Sequence, residues 1–453
     1  MYRTYTQILA LIILALVMPC TATAGRQKAR VTWHSPALKT VLGCTISCPD
    51  KAARDAEGKS MTIVYLENLA CRKIGRYSNK KNVRWLLDKG YKVIEIDYRH
   101  HPKATAPHLN TDIMALNDTL AKGRFGNETD ISDSRCYILF EGYRIERDVS
   151  YCLDDPTVYN YPDCYATQPG DSLYMDIVYP ANAAHGVPVI LSFSYSNSYA
   201  GTANEGCTER YKHRRMFLGY TLAMFDDTIL EGSPAAGMAW AIADHPKYCD
   251  WGRGNPKGGR QKDYGAVEIA DDAARKVRAA IRTLRHLAPE MGMNGKVALY
   301  GFSRGSTAAS LAIGDKPFDE WLTTVGSRFD SGETDIQAAV LGPGIFDYSL
   351  MSKSRNEYRH IDTYCHTTPD AQAAWNRQGG ARAINAAAAP TLLFFNTDDD
   401  PEYSTQAEHL VNLLRKTETP HTLMQDYGKG HSVPTSPVHI SRIYSFLKEH
   451  TSD

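Results

Sequence analysis

The chain lacks a charge imbalance: 51 lysines and arginines stand against 51 aspartates and glutamates in 453 residues. It also lacks a basic block or an acidic tail, which excludes the usual electrostatic footprint of nucleic-acid or anionic-membrane partners. The apolar run Ile8–Met18 holds eleven residues, too few for a membrane-spanning helix. The Gly-rich, basic stretch Cys249–Arg260 lacks the spacing and Lys-Ser/Thr ending of a phosphate loop, and reads as a flexible loop. Asp398-Asp399-Asp400 lacks the glycine and distal glutamate of an EF-hand. Cys44-x-x-x-Cys48 is followed by no second pair with zinc-ligand spacing. No metal and no cofactor is therefore expected.

What is present at the N-terminus is an export pattern. Arg3 precedes the apolar run, and Ala22-Thr23-Ala24 offers an A-x-A cleavage site. Pro19 stands before Cys20, where a lipidated cysteine needs a small residue. Residues 1–24 are thus expected to be a signal peptide, giving a secreted or periplasmic product without a stable membrane anchor. Of ten cysteines, loss of Cys20 leaves nine, an odd number that leaves at least one outside any internal pair. In an oxidising compartment several should form disulfides. Spacing does not determine connectivity; Cys44–Cys48, Cys152–Cys164 and Cys207–Cys249 are the local pairings. Asn117 and Asn127 fit the glycosylation pattern of a eukaryotic exported chain.

Hydrophobic periodicity then alternates between strand and helix. "MTIVYLENL", "SNKKNVRWLLDKG" and "YKVIEIDYRHHP" read as strand, helix and strand, with a further helix in "LNTDIMALNDTLAKG" and a polar linker over 121–135. "CYILFEGYRIERDVSY" and "DSLYMDIVYPA" read as two strands. "VPVILSFSYS", "AGMAWAIADH", "KVALYG", "IQAAVLGPG", "APTLLFFNT" and "HTLMQDYG" follow as strands, with a long helix before "KVALYG", another over "TQAEHLVNLLRKT" and a last one over "HISRIYSFLKEH". Between "IQAAVLGPG" and "APTLLFFNT" lies an irregular segment of roughly forty residues. Such alternation predicts an α/β fold, a mostly parallel sheet with helices on both faces, preceded by an N-terminal α/β extension. The expected division is 25–135 for the extension and 136–453 for the main domain. The strand-loop-helix-strand pattern ending at Asp97-Tyr-Arg is echoed by that ending at Asp244-His-Pro, and is read as two units of one generic fold.

Chemistry concentrates in "VALYGFSRGSTAAS". Ser303 lies in Gly-x-Ser-x-Gly between a strand and a helix of small residues, the context of a nucleophile elbow. Gly301 and Gly305 suit a turn that leaves no room for side chains. Downstream, the strand "PTLLFFN" ends at Asp398, Asp399 and Asp400, and "DYGKGHSVP" places His431 in a Gly-bounded loop after the next strand. Nucleophile, acid and histidine thus occur in the order that an acyl-transfer triad takes on this kind of sheet.

From about Asp171 to Glu449 the sequence resembles the α/β-hydrolase superfamily. Within it, the resemblance is to secreted esterases of the dienelactone-hydrolase-like and acetyl-xylan-esterase-like group, carried by "LYMDIVYPA", "PVILSFSYS", "VALYGFSRGS", "PTLLFFNTDDDPEYSTQAEHLVNLL" and "YGKGHS". The resemblance implies Ser303 as nucleophile, His431 as general base and Asp399 as the orienting acid, with Asp398 and Asp400 as alternatives and Asp347 as an outside one. It implies an oxyanion hole of backbone N–H groups. The His-Gly-Gly usual in such esterases is replaced here by Ser194-Tyr195-Ser196-Asn197, so Tyr195 or Ser196 would supply one N–H and Arg304 the other. The Arg304 guanidinium either faces an anion or sits on the surface at a helix start. Tyr195, Tyr199, Trp240, Trp251 and Trp375 are candidates for lining a substrate cleft, Trp240 being the one expected in the core.

The expected function is an exported serine hydrolase cleaving small-molecule or carbohydrate esters through an acyl-enzyme. A serine peptidase of the same fold and a non-catalytic binding protein are the alternatives. Oligomeric state is open.

Overall fold

The computed structural model describes residues 28–54, 58–67, 79–97, 134–140, 143–153, 172–181, 186–193, 238–244, 270–314, 324–366, 370–434 and 436–452, with isolated positions between 112 and 131 and at 246. The signal pattern, Asn117, Asn127, Tyr195, Ser196, Tyr199, the Cys207–Cys249 pair and Trp251 lie outside the described residues. Contacts divide the chain into two compact units, Met1–Gly142 and Tyr143–Asp453.

In the first unit, strands β1 (Lys28–Ser35) and β2 (Thr40–Ser47) form an antiparallel hairpin that no expectation covered. Their alternation buries Val31 and Trp33 on one strand and Leu42, Cys44 and Ile46 on the other. β3 (Ser60–Glu67), helix α1 (Asn79–Asp88) and β4 (Lys92–Asp97) follow as the sequence predicts. β5 (Arg124–Phe125) and β6 (Thr129–Asp130) form a separate two-residue ladder, and β7 (Ser134–Phe140) completes a five-stranded sheet of order β1-β2-β4-β3-β7. "CYILFEGYRIERDVSY", read as one strand, is two: β7 pairs parallel with β3, whereas β8 (Tyr143–Leu153) pairs antiparallel with a strand of the second sheet. The expected boundary at 135/136 lies inside β7.

The second unit is an eight-stranded sheet. Besides β8 it contains β9 (Ser172–Pro180), β10 (Val187–Phe193), β11 (Ala239–Ala243), β12 (Met293–Gly301), β13 (Ala338–Leu341), β14 (Thr391–Phe395) and β15 (His421–Gln425), in the order β15-β14-β13-β12-β10-β11-β9-β8. The ladders from β15 through β11 are parallel; those of β9 with β11 and β8 are antiparallel. This is the α/β fold with an α/β-hydrolase sheet.

Among the described residues of this unit the helices are α2 (Ala270–Met291), α3 (Arg304–Ser310), α4 (Asn356–His366), α5 (Ala371–Arg377), α6 (Pro401–Lys416) and α7 (Pro437–Thr451). Strand alternation sends Val189, Leu191, Val297, Leu299, Leu393 and Phe395 to one face, where they share a core with Val277 and Leu284 of α2 and Leu410 and Leu414 of α6. The opposite face sends Trp240 and Tyr300 toward Tyr444 of α7, with Trp240 to Tyr444 at 6.2 Å between ring centroids. Helices therefore cover both faces. α6 buries Ala407, Leu410, Val411 and Leu414, the i, i+3, i+4, i+7 stripe of an amphipathic helix. Each fully buried leucine there is worth about 1.5–3 kcal/mol.

The segment between β13 and β14, read as irregular, holds α4, α5 and two short 3-10 turns at Tyr348–Leu350 and Gly380–Ala383. It carries its own small core of Ile345, Tyr348, Met351, Ile361, Cys365 and Ala374, with Tyr358, Trp375 and Tyr403 packed against it. Cys44 is a buried thiol, so the local pairing Cys44–Cys48 does not form, whereas Cys164 of the Cys152–Cys164 pairing lies outside the described residues. Cys48 is disulfide-bonded, but not to Cys44. Among the described residues no helix is long and apolar enough to cross a membrane, and no cluster of three His, Cys, Asp or Glu could hold a metal ion.

Candidate active site

Three strand ends of the second sheet build the site. β12 ends at Gly301, and Ser303 follows on a sharp turn with φ 53° and ψ −126°. A non-glycine residue with positive φ is uncommon, and such strained conformations cost about 1–3 kcal/mol each. The turn is held by N–H groups of Gly305, bonding to Phe302 O, and of Ser306 and Thr307, both bonding to Ser303 O. Contact explains its glycines. A Cβ on Gly301 would lie 2.4 Å from Ser306 Cα, and one on Gly305 would lie 2.8 Å from Phe193 O, at the end of β10. Gly344 does the same from the other side: its Cβ would stand 3.1 Å from Ser303 O.

β14 ends at Phe395 and passes into Asn396, which is buried. Its side chain joins two loops, accepting from Gly428 N at 2.9 Å and donating to Gly430 O at 2.8 Å. Thr397 adds N–H and O–H bonds to Asp426 Oδ1 at 2.9 and 2.7 Å. The acid loop and the histidine loop are thereby one piece of structure. Asn396 and Asp426 were missed from the sequence; the only sign was a polar residue ending an otherwise apolar strand.

The three carboxylates go to three different partners. Asp398 Oδ1 accepts from Gly430 N at 2.7 Å. Asp399 Oδ2 meets His431 Nδ1 at 2.8 Å, its Oδ1 accepts from Asp400 N at 2.7 Å, and its side chain is only 7% exposed. Asp400 caps α6 by accepting from Glu402 N at 3.1 Å and pairs with Arg355. Asp347, the outside alternative, is buried and engaged with Ser349, Arg382 and His409 instead.

The His431 ring lies against Phe302, the residue before Ser303, with centroids 4.8 Å apart. Tyr403 stacks on it from α6 at 4.7 Å and 29°. His431 is thus bonded to Asp399 at Nδ1 and lies against Phe302, the residue that precedes Ser303 on the turn. Arg304 opens α3 and is buried, which overturns its reading as a surface arginine. Trp240 is buried in β11 and removed from any cleft, and Trp375 pairs with Tyr358 at 5.2 Å.

No family model matches the chain, and no curated protein matches it. Among solved structures, a truncated carbohydrate esterase from gut microbiota is similar with 16% identity and a TM-score of 0.42, over 69% of this chain and 98% of that one. A thermophilic esterase from the planctomycete Thermogutta terrifontis is similar at 17% identity and TM-score 0.41, over 65% of this chain and 96% of that one. Esterase B from Lactobacillus rhamnosis is similar at 15% identity and TM-score 0.43, over 68% of this chain and 87% of that one.

Proposed function

We propose that the chain is a serine hydrolase of carboxylic esters, with Ser303 as nucleophile, His431 as base and Asp399 as orienting acid. The observation that carries this reading is the Asp399–His431 bond of 2.8 Å beside an elbow whose serine has φ 53°. Ser303 Oγ attacks the acyl carbon as His431 Nε2 takes its proton. The imidazolium, held by Asp399 at Nδ1, then protonates the departing alcohol, leaving an acyl-serine. Water, deprotonated by the same nitrogen, attacks that ester, and the returning proton restores Ser303 as the acid leaves. The developing oxyanion accepts from the backbone N–H of Arg304 and from that of Tyr195 or Ser196. By its motif resemblance the substrate is a small-molecule or carbohydrate ester, acetyl or feruloyl groups on polysaccharide being the class to try first.

The test is labelling with a fluorophosphonate together with hydrolysis of an aryl acetate and a chromogenic dipeptide, on wild type and Ser303→Ala. A Ser303 adduct, with aryl acetate turnover that the variant loses, is expected. Equal turnover by both proteins would remove the site, and preference for the dipeptide would favour a peptidase. Export with cleavage after Ala24 belongs to the same reading, and N-terminal sequencing of the product from the extracytoplasmic fraction checks it.

A further inference from the structure

A single hydrogen bond fixes one atom of an imidazole but not its plane. With only Nδ1 held by Asp399, the His431 ring could rock about that bond and swing Nε2 away from Ser303. The side chain is a third exposed, so solvent alone would not stop it. Two aromatic rings meet it, Phe302 at 4.8 Å and Tyr403 at 4.7 Å, and Tyr403 is the more nearly parallel of the two, at 29° against 43°.

Tyr403 is itself held. Arg355 bonds to Glu402 at 2.7 Å and to Asp400, one and three residues before Tyr403 in the first turn of α6, and its guanidinium lies 6.0 Å from the Tyr403 ring centroid. The ring also packs against the satellite core of the segment between β13 and β14. Burial pushes the phenol's pKa up, so the ring meets His431 in its neutral form.

We infer that Tyr403 is a positioning residue for His431, its face setting the plane of the imidazole, and that Arg355 holds Tyr403 in place for that task. The inference rests on the triad reading above, and it joins the segment between β13 and β14 to the chemistry. Small displacements of a reacting group are costly in rate. An aromatic contact of this kind is worth about 0.5–1.5 kcal/mol, corresponding to a fall of about twofold to tenfold in kcat when it is lost.

The experiment compares Tyr403→Phe, Tyr403→Leu and Arg355→Met in full-length protein. kcat, KM and the rate of fluorophosphonate labelling are read at a temperature where circular dichroism shows each variant folded. Phenylalanine keeps the face and should stay within about twofold of wild type. Leucine keeps apolar bulk against the satellite core but loses the face, so kcat and labelling should fall together by about threefold to tenfold with KM unchanged. Arg355→Met should lower kcat in the wild-type background and much less in Tyr403→Leu. A folded leucine variant with wild-type kcat overturns the inference, as does a phenylalanine variant as slow as leucine. Should leucine prevent folding, wild-type kcat in folded Arg355→Met overturns it instead. Turnover that survives Ser303→Ala is a different failure: it removes the triad reading itself.

Discussion

Replacing Asp399 by asparagine changes one atom and should remove most of the activity. Both oxygens of Asp399 receive an N–H: Oδ2 from His431 Nδ1 at 2.8 Å and Oδ1 from Asp400 N at 2.7 Å. An amide has one acceptor oxygen and one NH2 donor, so it cannot serve both. If the oxygen keeps the Asp400 amide, the NH2 faces His431 and forces Nδ1 to accept. The ring proton then sits on Nε2, which can no longer take a proton from Ser303. If the oxygen instead faces His431, the Asp400 N–H meets a donor, and leaving a polar group unmatched at a 7% exposed side chain costs about 1–3 kcal/mol. The first orientation should dominate, and kcat should fall by about a thousandfold to ten-thousandfold, or roughly 4–5.5 kcal/mol in barrier. Asp398→Asn and Asp400→Asn should stay within about tenfold. The former still has an oxygen for Gly430 N, and asparagine is as good a helix cap as aspartate. Aryl acetate kinetics on the three folded variants decide the matter. If Asp399→Asn keeps more than a tenth of wild-type kcat, or if a neighbour falls as far, the assignment of the acid is wrong.

Asn396→Leu strips Gly428 N–H and Gly430 C=O of their buried partner, and should cost about 2–4 kcal/mol in urea denaturation, with a lower kcat as the two loops lose register. Gly305 has no positive φ, so alanine there meets no backbone penalty. Its Cβ would lie 2.8 Å from Phe193 O, and Gly305→Ala should lose Ser303 labelling even where soluble protein is recovered. Burial pushes the Cys44 and Cys365 thiols up to about 12, from 9.0, so iodoacetamide at pH 8 should spare both in native protein and modify both in denaturant, as peptide mass mapping would show. These raised values also have a sign: above pH 9 the unfolded chain releases thiol protons that the folded one keeps, so stability should decline from pH 9 toward 12.

The parallel strands and the elbow were legible because their signals are short-range. A buried apolar run followed by Gly-Phe-Ser-Arg-Gly needs no knowledge of distant residues. The β1–β2 hairpin was not, although Val31, Trp33, Leu42 and Cys44 alternate inward: its turn holds Pro36 and a positive-φ Lys39 in place of Asn-Gly chemistry. One continuous run gave no sign that β7 and β8 join different sheets, since periodicity reports a strand's faces and not its neighbours. The segment between β13 and β14 hid its helices because α5 spans only seven residues and depends on Asp370 accepting from Ala373 N, a cap without a long apolar stripe behind it. Arg304 could not be placed inside or outside without the packing around α3.

Three adjacent carboxylates, Asp398, Asp399 and Asp400, repel one another and by themselves would favour a solvated turn. Here every one of them meets a donor: Gly430 N for the first, His431 Nδ1 and Asp400 N for the second, Glu402 N and Arg355 for the third. Charge-assisted bonds of this kind are worth about 1.5–3 kcal/mol each, enough to offset screened repulsion between neighbours. Asp398 fixes the acid loop to the histidine loop and Asp400 to α6 and Arg355, leaving Asp399 between two anchored neighbours with its Oδ2 turned to His431. The acids on either side are thus what aims the middle one. Losing either anchor should blur the Nδ1 bond rather than abolish it, a graded loss set against the near-complete one expected at Asp399.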